Sequence, residues 1–158
     1  NTKISQGEDL SCTTPCYLES NKVYMSKKPI YLYTIRDDSL TTNFKTAQIT
    51  QIEDTIIGLK NLAVKKPQDF HEQISRYSFF MCFAILAAAA EGGHFKYLAE
   101  IKSLILNSIN KDLIKKAQFE KVTTKTGIGM ALMKREHIRT AFYFLYCAGK
   151  IKNILKKE

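Results

Sequence analysis

Residues 77–90 read YSFFMCFAILAAAA. A helix that is apolar all the way round belongs in the middle of others, so Tyr77 to Ala90 predicts a core helix around which the chain is organised. The stretch holds no Gly or Pro and ends in a run of Ala, the best helix former. Glu91-Gly92-Gly93 stops it, because Gly takes the left-handed conformation of a helix C-cap at no steric cost. The apolar run is shorter than the ~20 residues that span a bilayer, so the expectation is a buried helix and no transmembrane segment.

Toward the N-terminus, this helix is expected to begin near Asp69, with Asp69 and Glu72 at the spacing of a capping box. Its main stripe would be Phe70, Ile74, Tyr77, Met81, Ile85 and Ala88. An earlier helix is predicted from Thr42 to about Val64, because Ile49, Ile52, Ile56, Leu59 and Ala63 recur at alternating three- and four-residue steps. Thr41 or Thr42 suits its N-cap, and Pro67 prevents its continuation.

Toward the C-terminus, three more helices are expected. One runs from about His94 to Ile109, with Phe95, Leu98, Ile101, Ile105 and Ile109 on one face and Lys96, Glu100 and Lys102 outside it. A short one from about Lys111 to Val122 would be capped by Asn110. A long one from about Ile128 to Leu155 carries Ile138, Ala141, Leu145, Ala148, Ile151 and Leu155, widened by Phe142, Tyr143, Phe144 and Tyr146. Gly149 in its interior predicts a close packing point or a kink, since Gly costs ~1 kcal/mol against Ala in a helix.

Residues 1–22 are polar, with no helical period, and read as irregular. Val23-Tyr24-Met25 and Ile30 to Ile35 are β-branched and aromatic around a Ser26-Lys27-Lys28-Pro29 turn, which predicts a hairpin. The expected fold class is therefore mainly α: about five helices bundled around a central hydrophobic helix, with a short N-terminal β-hairpin. Residues 1–40 would pack on the helical bundle of residues 41–158 as a single domain.

With 45% hydrophobic residues in 158, the chain has enough apolar material for a core and is not disordered overall. Its net charge of +9 is one-sided: residues 1–91 are neutral, and the whole excess falls in residues 92–158. Such a field can attract an acidic protein, nucleic acid or anionic lipid. Lys outnumbers Arg by 20 to 4, which disfavours nucleic acid, because Arg is the residue suited to bidentate phosphate and base contacts.

Four Cys are present. Cys12 and Cys16 lie in the polar N-terminal segment, where a disulfide would contribute most, and Cys82 and Cys147 lie in apolar helical runs. The Cys12/Cys16 pair and the opening Asn1 in place of Met lead to the expectation of an exported protein, periplasmic or extracellular.

No catalytic or cofactor constellation stands out. Glu91-Gly-Gly-His94 has the letters of a di-metal Glu-x-x-His motif, but two Gly interrupt it and no second copy exists. His71 and His137 lack partners at metal-ligand spacing. Cys82 and Cys147 sit in no nucleophile signature, and Cys12-x-x-x-Cys16 is not a thioredoxin-type spacing. Thr126-Gly-Ile-Gly-Met lacks the phosphate-loop pattern and reads as a tight interhelical turn.

What remains is surface. Lys134, Arg135, Arg139, Lys150 and Lys152, beside the aromatics of the last helix, make a basic amphipathic face of the kind that docks into a partner. Tyr31 and Tyr33 of the hairpin are a second candidate surface. The expected function is a non-enzymatic interaction protein that binds another protein. Nucleic acid or an anionic membrane surface is the alternative partner, and a small enzyme the second alternative.

Overall fold

A computed structural model describes residues 44–64, 66–118 and 124–155, together with a few isolated positions nearer the N-terminus. The expected hairpin with Tyr31 and Tyr33, the expected caps Thr41 and Thr42, and Cys12 lie outside the described residues. Among the described residues six α-helices follow one another: α1 (Ala47–Ala63), α2 (Gln68–Glu91), α3 (Leu98–Leu106), α4 (Ser108–Lys116), α5 (Lys125–Lys134) and α6 (Ile138–Leu155). A 3₁₀ turn, Phe95–Tyr97, leads into α3.

The mainly helical reading holds, and α2 is the hub, packing on α1, α3, α4 and α6. Its geometry differs from the expected stripe. The buried side carries Ile74, Ser78, Phe79, Cys82, Phe83, Leu86 and Ala89, whereas Tyr77, Met81 and Ala88 are only half-buried and Phe80 is 49% exposed. A sequence that is apolar all round does not say which half-turn faces the neighbours. Those neighbours bring Ile52 and Ile56 from α1, Ile101 and Ile105 from α3, and Phe142 from α6, all fully buried.

At 24 residues, α2 is also longer than its apolar run. Among the described residues it is the helix long and apolar enough to cross a membrane, and 56% of its most apolar window is buried inside the fold. Length therefore does not separate a span from a core helix here; its packing on four other helices describes it as a core helix.

The ends of α2 follow two different rules. Its N-cap is Pro67, with no side-chain cap, and Asp69 only accepts from the Phe70 N–H at 3.0 Å. The expected capping box fails because Asp69 already sits inside the first turn. The C-terminus closes as the sequence predicts: Gly93 is left-handed (φ 71°), His94 N–H reaches Ala89 O at 2.9 Å, and Gly93 N–H reaches Ala90 O at 3.0 Å.

The α3–α4 junction falls earlier than expected, because Asn107 rather than Asn110 is the N-cap. Asn107 Oδ1 accepts from the Asn110 N–H at 2.8 Å, and its amide donates to Glu53 Oε1 at 2.9 Å. Asn110 is 1% exposed and donates to Leu104 O at 2.7 Å. A buried amide thus satisfies a carbonyl that the end of α3 leaves without a helical partner.

The expected long last helix is broken in two. His137 N–H bonds Leu132 O at 3.0 Å and Glu136 N–H bonds Met133 O at 2.9 Å, the two hydrogen bonds of a Schellman close. Glu136 holds the left-handed position (φ 65°) that Gly normally fills. Its carboxylate is gripped by Lys111 at 2.7 Å and Lys115 at 3.3 Å, both on α4. The break lets α5 fold back along α6.

The pair Gly127 and Gly129 lies inside α5 and makes no turn. A Cβ on Gly129 would stand 3.0 Å from Leu145 and 3.1 Å from Phe83, so the absence of a side chain there lets α5 approach α2 and α6. Gly149 likewise marks a close approach within an unbroken α6, where a Cβ would meet Glu91 Cγ at 3.2 Å.

Two glycines should therefore respond in opposite senses. Gly58, inside α1, has nothing within 4 Å of an added Cβ, so Gly58→Ala should stabilise by ~0.5–1 kcal/mol. Gly129→Val should destabilise by about 1–3 kcal/mol through overpacking. Urea unfolding of both variants checks this, and a Gly129→Val protein as stable as the parent would contradict the packing role.

Glu136 gives a pH test. Its hydrogen bond with Lys111, aided by Lys115, holds its carboxyl below the ordinary carboxylate range. The stabilisation is present above the ordinary carboxylate pKa and is lost as pH falls through the lowered one. The Tm difference between the parent and Glu136→Gln should be constant near neutrality and shrink between about pH 5 and pH 3. A difference independent of pH would exclude the ion pair as its source.

Candidate partner-binding groove

The expected basic face does not form as one surface, because the break at Glu136 separates its members. Lys134 ends α5 and its ammonium donates to Ala117 O at 2.5 Å, closing the C-terminus of α4. It lines a polar cavity of about 590 Å³ with His71, Glu72, Lys115 and Lys116. Two of that cavity's cations are committed elsewhere, Lys115 to Glu136 and Lys116 to Asp112 at 2.9 Å. Arg135 is exposed at the break. Lys150 lies on the outer side of α6 with its Nζ 5.5 Å from the centre of the Tyr146 ring. Lys152 lies in the last turns of α6, and its side chain is outside the described residues.

Arg139 is placed differently. With Tyr143 it forms one wall of a groove of about 580 Å³ whose other wall comes from the 3₁₀ turn and α3, with Phe95, Lys96, Leu98 and Lys102. No acidic side chain is among the described residues that line it. Lys102 and Arg139 make no ion pair among the described residues. Lys96 lies 4.8 Å from the centre of the neighbouring Tyr97 ring.

An aromatic cluster builds this groove. Phe95 packs on three α6 rings, Tyr146 at 4.9 Å, Phe142 at 5.3 Å and Tyr143 at 5.8 Å between centroids. Phe142 is fully buried, while Phe95 is 40% and Tyr143 53% exposed. Part of the aromatic set therefore serves the core, and part is presented to solvent beside three cations. Sequence reading found Arg139 but missed Lys96, Lys102 and Phe95. They lie some forty residues away in the chain, and nothing local announces that α3 and α6 run side by side.

The other candidates have structural roles. Glu91 pairs with Lys125 at 3.3 Å, and His94 sits beyond the helix end with its ring 5.0 Å from Phe44. The two therefore do not share a helical face, as a metal motif of this type requires. Ser78 Oγ, fully buried in α2, has no hydrogen-bond partner among the described residues.

Cys16 is a free, exposed thiol, and Cys12, its expected partner, lies outside the described residues. Cys147 is free and exposed, and Cys82 is free and buried. Burial, with a smaller contribution from the Glu53 charge, pushes the Cys82 thiol up to about 12. That removes the thiolate needed for nucleophilic chemistry.

Alkylation of the native protein at neutral pH should accordingly label Cys16 and Cys147 and leave Cys82 untouched until denaturant is added. Intact mass and peptide mapping check this. Native labelling of Cys82 as fast as Cys147 would show that the α2 core opens.

No family model matches the chain, and no curated protein or solved structure is significantly similar to it. A functional reading accordingly rests on the chemistry of the groove.

Proposed function

We propose that this chain is a non-enzymatic interaction protein that binds an acidic segment of a protein partner in the groove between α3 and α6. One observation carries the reading: Lys96, Lys102 and Arg139 line the same groove as the half-exposed rings of Phe95 and Tyr143, with no carboxylate among the described residues that line it. Unpaired cations beside aromatic faces attract carboxylates at range and hold an apolar side chain at contact. Arg139 supplies the planar fork that grips a carboxylate through two hydrogen bonds.

The reading keeps the expected interaction class and moves its surface. Lys134 and Arg135 drop out, since one caps α4 and both lie beyond the Glu136 break. An exported location gains no support from Cys16, which is a free thiol.

Fluorescence anisotropy with labelled poly-glutamate at about 50 mM salt tests the proposal. The parent protein should bind, and Lys102→Glu with Arg139→Glu should weaken binding at least tenfold, ~1.4 kcal/mol or more. Lys60→Glu, on α1, is the control and should leave binding unchanged. If the double reversal has no effect, the groove is not the site. If oligothymidylate binds the parent more tightly than poly-glutamate, the nucleic-acid alternative replaces this one.

A further inference from the structure

The groove opens onto a longer feature. From its mouth a single row of α6 side chains at four-residue steps faces outward: Arg139, Tyr143, Cys147 and Ile151, all exposed. Tyr143 is 53% and Ile151 59% exposed, two turns apart on the same row. Lys150 flanks the row. The row runs for roughly 18 Å along the axis at 1.5 Å per residue.

A row at four-residue steps is a ridge, and ridges of this kind pack between the matching ridges of another helix. A strand repeats every second residue and would not match it. A bilayer surface calls for a wide apolar face, whereas this row is one residue broad and bounded by Thr140 and Lys150. The cations that flank it, Arg139 and Lys150, with Lys102 in the groove, oppose a second copy of the same face and favour a negatively charged occupant.

We infer that the partner segment is an acidic amphipathic helix, laid along the Tyr143–Cys147–Ile151 ridge with its carboxylates toward Arg139, Lys102 and Lys150 and one large apolar side chain in the α3–α6 groove. This rests on the proposed function and specifies the form of the partner. The groove, bounded by Phe95 and Tyr143, receives the anchor, and the ridge sets the direction of the helix. Binding of this type concentrates its energy in a few apolar anchors surrounded by charged contacts that set orientation.

The test uses two synthetic peptides of identical composition and net negative charge, one with Leu and Phe at i, i+3/i+4 spacing and one scrambled to remove the stripe. Cys147 lies at the centre of the ridge and Cys16 reports on the bulk protein, so alkylation rates read occupancy with an internal control. The striped peptide should bind about tenfold or more tightly than the scrambled one. It should also slow alkylation of Cys147 while leaving Cys16 unchanged. Ile151→Lys should abolish the preference without changing the Tm, since the side chain is exposed and outside the aromatic cluster.

If the two peptides bind equally while Arg139→Glu still weakens both, the helical partner is overturned and the acidic-segment reading stands. Striped-peptide binding that leaves Cys147 unprotected would likewise overturn the ridge as its seat. If neither peptide binds, both readings fail. If phosphatidylserine vesicles protect Cys147 and the striped peptide does not, the ridge is a membrane contact instead.

Discussion

The side of α2 that carries Ile74, Phe79, Cys82, Leu86 and Ala89 has to leave water, and the fold answers that requirement. A single helix has too little width to be covered by one partner, so α1, α3, α4 and α6 share its buried side. Small residues set how closely they approach. Ala89 and Ala90 are fully buried at one end of α2, and Gly129 lets Phe83 and Leu145 press against α5. Ordinary helix-packing distances follow from such choices, and most of the core follows from α2.

The Glu136 break then determines what the surface looks like. A continuous helix from 128 to 155 would have carried Lys134, Arg135 and Arg139 on one rod. Instead a carboxylate held by two α4 lysines sits where glycine normally does, and α5 doubles back. Lys111, Lys115 and Lys134 are consumed in stitching the ends of α4 and α5 together. The positive charge of the C-terminal half therefore divides into cations that stitch the fold and cations that make no ion pair among the described residues. Lys102, Arg139 and Lys150 belong to the second group, and they surround the exposed aromatics.

The sequence makes some of this legible and hides the rest for identifiable reasons. Periodicity placed the body of α1, with Ile52, Ile56, Leu59 and Ala63 buried as expected, but the helix begins at Ala47 with Thr46 at its N-cap and not near Thr42, because its apolar stripe starts only at Ile49. The Gly92-Gly93 stop was readable because glycine is the usual left-handed cap. The stop at Glu136 was not, because glutamate is a good helix former and its αL conformation depends on lysines twenty or more residues away. The face of α2 was unreadable for the opposite reason, an excess of apolar residues with no polar side to orient it. Ile151, counted with the core stripe, is exposed because the stripe drifts round the helix and by that turn has reached the outward row of Tyr143 and Cys147. The groove escaped notice because it exists only where α3 meets α6, while sequence periodicity reports one helix at a time.

The same division explains why the proposed binding surface lies on α6. Its inner side is anchored by Ile138, Ala141, Phe142 and Leu145, all buried. That fixes the helix and leaves its outer ridge rigid. Rigid apolar side chains on a supported helix lose little entropy on meeting a partner, which is the condition under which a small ridge can bind usefully. Phe95 adds a lateral support that a lone helix lacks, bracing Tyr143 and Tyr146 from the side of α3. Exposed Tyr143 and Ile151 lie off that buried side, and their burial against the proposed partner would gain free energy. Arg139 and Lys150, beside them, set the charge that this partner must carry.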